Sequence, residues 1–185
     1  ESVKSLTLKK VGNKYVYDSK TDETSGQYFP IDGQGFGNQS MFLPGRNHNY
    51  HFSVEGEMEF YVSKNTEDLY FNFTGDDDVW IYVDNKLVVD LGGVHTNVSG
   101  NFQIKKGSDG KIKLYYTEKD YSGNTESKTM ELEACLHTFN FFYMERRTEQ
   151  SNLMMETNIK FNEVPDEIPE ELPEVPEVPE ETPQG

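Results

Sequence analysis

The chain is predicted to fold as an all-β domain, a β-sandwich of two antiparallel sheets with long loops at one end, followed by an extended Pro-rich tail. Three observations carry that expectation. Apolar residues recur at every second position in short runs between Tyr50 and Phe161, the period of strands with one buried face. The apolar fraction is modest at 34%, but 11 Tyr and 12 Phe among 185 residues make it aromatic, and aromatic side chains favour pleated surfaces. Long helical periodicity is hard to find, while Gly and Asn punctuate the runs, as in a chain of strands joined by turns. The length suffices for one domain with its own core.

Val3, Leu6, Leu8 and Val11, then Tyr15, Val16 and Tyr17, predict one or two early strands before a polar turn from Asp18 to Ser25. Gln27 to Gly45, QYFPIDGQGFGNQSMFLPG, predicts a long ordered loop pinned by Phe29, Phe36, Met41 and Phe42. Tyr50, Phe52 and Val54 alternate, Glu55-Gly56-Glu57 reads as a turn, and Met58, Phe60 and Val62 alternate again. His48 and His51, three apart, face opposite sides of a strand, so they are read as structural or surface residues rather than a shared metal site.

The stretch from Leu69 to His95, LYFNFTGDDDVWIYVDNKLVVDLGGVH, organises the rest. Leu69, Phe71 and Phe73 alternate with polar or amphipathic neighbours; Gly75 breaks the run and Asp76, Asp77 and Asp78 follow. Val79, Ile81 and Val83 then share one face and Trp80 and Tyr82 the other, Asp84-Asn85-Lys86 reads as a hairpin tip, and Leu87, Val88 and Val89 return. Three adjacent carboxylates repel one another. Either they point into water, as an ordinary acidic turn does, or a cation holds them. Their place at a strand junction framed by apolar residues favours an oxygen-rich calcium site. Calcium takes six to eight oxygen ligands, so another loop must complete it.

Ile104, a turn from Gly107 to Gly110, and Ile112, Leu114 and Tyr116 predict a hairpin, and Thr117 to Lys128 a polar, mobile loop. Leu132 to Met144 is a second apolar centre, with Phe139, Phe141 and Tyr143 on one face and Phe142 and Met144 on the other, as in a central strand. Cys135 lies in this run and is read as a small core residue rather than a reactive thiol. The polar loop from Glu145 to Asn152 precedes a closing strand of Leu153, Met155, Thr157, Ile159 and Phe161. Asn38, Asn72 and Asn97 each begin an N-glycosylation triplet, but such triplets are common by chance and carry little weight.

From Glu163 onward six of the eight prolines and nine acidic residues occur with no Lys or Arg, which divides the chain into a domain at 1–162 and an acidic Pro-rich linker or stalk at 163–185. Regular Pro spacing blocks helix and sheet, and charge repulsion extends the chain. Of the net charge of −16, −7 remains for the domain. That balance argues against nucleic acid, which needs a basic face, and suits cation binding. No apolar run is long enough to cross a membrane. The first residue, Glu1, is not Met, which is read as a fragment of a longer secreted precursor.

GDDDVWIYVDNKLVVDLGGVH resembles the signature of the fibro-slime domain, a member of the β-sandwich superfamily named after the anthrax protective antigen, to which yeast flocculins and related adhesins belong. NYHFSVEGEMEF before it and FNFFYMERRTEQSNLMMETNI after it extend the resemblance from Asn49 to about Phe161. The resemblance implies a calcium ion held by the Asp76-Asp77 pair, joined by a cis peptide in the lectin members. It also implies a side-chain ligand at Glu145 and backbone carbonyls at Arg147 and Glu149. Asp78 stands where the superfamily more often has Gly, which leaves open which two of the three Asp bind. Asp76, Asp77, Asp78, Trp80, His95 and Arg146 are the residues expected to touch a ligand.

The function read from these observations is a secreted or cell-surface adhesin domain, attached to a bacterial cell wall, that binds carbohydrate through calcium without catalysis. It is expected to be monomeric within a larger surface protein and not to insert into a membrane. Sugar hydroxyls would displace two calcium-bound waters, and Trp80 or a nearby Tyr would stack on the sugar's apolar face. One rival is a domain whose calcium is only structural and whose partner is a protein. The other is a glycosidase, ranked last because adjacent Asp residues chelate together more naturally than they flank a scissile bond.

Overall fold

A computed structural model of the chain describes residues 2–38, 47–93, 97–119, 124–146 and 150–162. The described residues form strands β1 (Lys9–Val11), β2 (Lys14–Asp18), β3 (Phe52–Tyr61), β4 (Leu69–Asp76), β5 (Asp78–Val83), β6 (Lys86–Asp90), β7 (Val98–Lys106), β8 (Ile112–Lys119), β9 (Thr125–Glu131), β10 (Leu136–Glu145) and β11 (Asn152–Thr157). One short helix, α1 (Ser19–Asp22), follows β2, with Asp18 capping it by accepting a hydrogen bond from the Lys20 N–H. Seven strands form one sheet in the order β1-β2-β11-β4-β7-β8-β9, and four form the other in the order β3-β10-β5-β6. All pairings are antiparallel.

Alternation decides which side chains meet between the layers. Val79, Ile81 and Val83 point inward and are fully buried, as are Phe60, Phe102 and Ile104. Phe71 of the larger sheet stacks on Phe102 at 5.8 Å and meets Phe139 of the smaller sheet at 5.1 Å, and Phe139 lies 4.8 Å from Phe161. The rings thus bridge the two layers, and each removes a large apolar area from water. The hairpin tip is as expected: Asp84 and Asn85 both take positive φ (47° and 63°), the backbone of a two-residue turn whose twist matches the strands it joins.

Four expectations fail, the first two because long-range pairing outweighs a local signal. Glu55-Gly56-Glu57 is no turn: β3 runs straight through it, with Gly56 opposite Phe141 and the two Glu side chains outward. Most of the predicted mobile loop is a hairpin, since Thr117–Lys119 belongs to β8 and Thr125–Lys128 to β9. Phe36 is fully exposed and pins nothing, whereas Phe29 packs on the core and stacks on His48 at 4.0 Å; Met41 and Phe42 lie outside the described residues. Cys135 is exposed in the β9–β10 connection, one residue before the strand that was expected to bury it. The tail at 163–185 also lies outside the described residues.

Phe139→Ala is expected to cost about 3–5 kcal/mol in urea denaturation, the usual range for emptying a buried Phe site. A second expectation concerns alkali. Burial, with Glu23's charge adding, pushes the Tyr28 hydroxyl from its usual 10.0 up to about 12, and burial likewise raises Tyr17 and Tyr143. Above its usual pKa the unfolded tyrosine ionises while the folded one stays neutral, so stability falls as pH rises from 10.0 toward about 12. Urea midpoints across that window should fall, and Tyr28→Phe should make the fall shallower.

Candidate functional site

Two connections cross between the sheets side by side. β4 lies in the larger sheet and β5 in the smaller, so the chain changes sheet at Asp77. The segment between β10 and β11 makes the opposite crossing. Because β4 pairs with β11 and β5 with β10, both crossings fall at one end of the sandwich: Asp76 sits opposite Asn152, and Asp78 opposite Met144. Gly75 is needed there, because a Cβ would stand 2.7 Å from the Asn152 carbonyl oxygen and 2.7 Å from the Phe73 ring. The Asp76–Asp77 peptide is cis.

Each carboxylate at the crossing has a different environment. Asp76 accepts hydrogen bonds from the Asn152 N–H at 2.6 Å and the Asn152 side-chain amide at 3.1 Å. Asp78, 2% exposed, is gripped by the Arg146 guanidinium through Nε at 2.6 Å and Nη2 at 2.9 Å, and it also accepts the Gly93 N–H at 2.5 Å. This two-pronged pair is the strongest form of carboxylate recognition a side chain offers. Asp77, 3% exposed, accepts the Arg146 N–H at 3.4 Å, a long bond for so buried a charge. Glu145 is 1% exposed.

Tyr143 ties these groups to the core. Its hydroxyl stands 2.6 Å from the Asp76 carbonyl, 2.7 Å from Ser151 Oγ and 3.4 Å from Glu145 Oε2. The hydroxyl has one proton, and the carbonyl can only accept, so the short bond to Asp76 takes it and Ser151 donates in turn. Burial, followed by the Glu145 charge, holds the Tyr143 pKa far above the usual tyrosine range, which keeps this donor protonated.

The structure therefore brings Asp76, Asp77, Asp78, Glu145 and Arg146 to one end of the sandwich. Trp80 stands two residues beyond Asp78 on the outer face of β5, opposite Phe142. His95, Arg147 and Glu149 lie outside the described residues. Linear reading missed Asn152, Ser151 and Tyr143 as partners of the Asp run. The first two look like ordinary loop residues, and Tyr143 looks like one more core aromatic.

Asp76, Asp77 and Glu145 bring carboxylate oxygens to the crossing, the ligand type a hard cation such as calcium takes, and Asp77 and Glu145 are buried. Asp78 is already neutralised by Arg146. Among the described residues no group of three or more His, Cys, Asp and Glu side chains is placed to hold a metal by itself, so further oxygens would have to come from backbone or solvent.

This fold and this crossing define a class, the β-sandwiches of the protective-antigen type. The chain belongs to the PA14 domain family, whose profile matches residues 12–173. Domains of this family are often adhesin or carbohydrate-binding modules. The chain is 36% identical over 148 residues to protein psiC of Dictyostelium discoideum, covering 78% of this chain and 23% of psiC. It is 34% identical over 164 residues to protein psiR of the same organism, covering 84% of this chain and 14% of psiR. Protein psiH shows 35% identity over 150 residues, with 79% and 17% covered. The chain thus spans less than a quarter of the length of these curated relatives. They are amoebal proteins, which points away from the bacterial source expected from the tail. No solved structure matches.

Replacing Arg146 by Met should leave Asp78 buried without its guanidinium and cost about 2–3 kcal/mol. Thermal and urea unfolding of Arg146→Met, Asp78→Asn and the double variant form the cycle that measures the coupling. A coupling near zero would show the pair to be ornamental.

Proposed function

We propose that this domain is an extracellular adhesin module that binds carbohydrate through a calcium ion held at the sheet crossing, with no chemical step. The observation that carries the reading is the strand register. It sets the Asp76-Asp77 pair against the start of the β10–β11 connection, where Glu145 is buried. Membership of a family rich in carbohydrate-binding modules supports the ligand class. Within that family, the fibro-slime form remains our finer placement, resting on the GDDDVW stretch and its flanks.

In this reading Asp76, Asp77 and Glu145 hold calcium, and the carbonyls of Arg147 and Glu149 are candidates to complete its shell. When bound, the ion supplies open coordination positions for adjacent sugar hydroxyls. Asn152 orients the Asp76 carboxylate from the backbone and side-chain amides together. Arg146 pairs with Asp78, which supports the Asp76-Asp77 pair as the one that takes the ion. One calcium site of this kind gives weak affinity, and useful adhesion comes from repeated display. A glycosidase is the last-ranked rival, because adjacent Asp residues chelate together more naturally than they flank a scissile bond.

Glycan-array binding with calcium and then with chelator tests the proposal. Binding should require calcium and vanish in Asp76→Ala and Asp77→Ala. Calcium at 100 times its dissociation constant should stabilise the wild type by about 2.7 kcal/mol. Calcium-dependent stability without any glycan binding would sink the carbohydrate reading and leave a structural ion.

A further inference from the structure

The outer face of the smaller sheet carries a groove that the calcium site does not use. Strand pairing lays Glu55, Phe142, Trp80 and Asp90 across the sheet in one row and Glu57, Asn140 and Tyr82 in the next. All of these but Asp90 line an open depression of about 710 Å³, a volume in the range of small-ligand sites. Among the described residues no third layer covers this face, yet Trp80, Tyr82 and Phe142 are aromatic and Met144 is 39% exposed. Apolar residues rimmed by polar ones on an outer face mark an interaction surface.

The rings are held in place. Phe142 meets Tyr82 edge-on, with centroids 5.8 Å apart and planes at 87°. Gly92 lies against Trp80 so closely that a Cβ there would stand 3.0 Å from the indole. The polar groups are also set: the Asn140 side-chain amide donates to Glu57 Oε2 at 3.0 Å, which leaves its carbonyl oxygen available as an acceptor.

We propose that this groove binds a segment of neutral polysaccharide, independently of calcium. Aromatic faces need an apolar C–H face to lie on, and the carboxylates of Glu55 and Glu57 with the Asn140 carbonyl need O–H donors. A pyranose chain presents both along its length. Among the described residues the groove has no Lys or Arg on its walls, and its glutamates repel polyanions, which disfavours acidic glycans and nucleic acids. The site is separate from the calcium reading above and does not rest on it.

Trp80 is the chain's single tryptophan and lines the groove, so its emission is the readout, and Asp77→Ala separates it from the calcium site. The 185-residue chain would be titrated, in chelator, with neutral gluco-, xylo- and manno-oligosaccharides of two to six units. At least one series should give a saturable change in emission, with affinity rising about tenfold from two units to six. Phe142→Ala and Asn140→Ala should each weaken it about tenfold, whereas Asp77→Ala should leave it unchanged. Three results overturn the proposal: no response to any series, a response only when calcium is present, or a response to a Lys-rich peptide but not to the sugars. The second result would leave the calcium site intact as a lectin and remove only the groove.

Discussion

The constraint on which the structure depends is that two neighbouring connections change sheet at the same end. β4 and β11 are partners in one layer, and β5 and β10 are partners in the other. Once the chain crosses at Asp77, its neighbour must cross back beside it. The acidic run is therefore confined on one side by the Phe73–Gly75 stretch and on the other by the segment that carries Glu145, Arg146 and Asn152. Charge placed at such a junction cannot move into water without breaking two ladders, so it has to be neutralised where it stands. Arg146 does this for Asp78, the Asn152 amides bond Asp76, and the Arg146 N–H donates to Asp77.

Much of this was legible in the chain itself. Period-two alternation placed β4, β5 and β10 and assigned their faces, because burial on one side leaves an unambiguous mark. The Asp84-Asn85 turn was legible because few residues accept its backbone. What linear reading could not supply was partnership across sequence. Glu55-Gly56-Glu57 looks like a turn in isolation, and only pairing with β10 makes it the middle of a strand. Asn152 is one polar residue among eight until the register sets it opposite Asp76.

β10 shows how the same pattern can mislead. Apolar residues on both faces usually indicate a strand covered on both sides. β10 is central in its sheet, but among the described residues its outer Phe142 is only half-buried and Met144 is exposed. Apolar character on an uncovered face needs an explanation other than burial in the core, and a binding surface provides one.

Tyr28 has a consequence for how such a module is bounded. It packs against Tyr143 at 5.9 Å, and its N–H donates to the Ser151 carbonyl at 2.8 Å. A residue far upstream of the acidic run thus backs the tyrosine that fixes the Asp76 carbonyl. β2 likewise supplies the neighbour of β11 on the side away from β4. The heritable unit is therefore wider than its most recognisable stretch. A recombination or cloning boundary drawn just before Asn49 would move the acidic run into a new protein without the wall behind it. A boundary ahead of Lys9 would carry the whole apparatus.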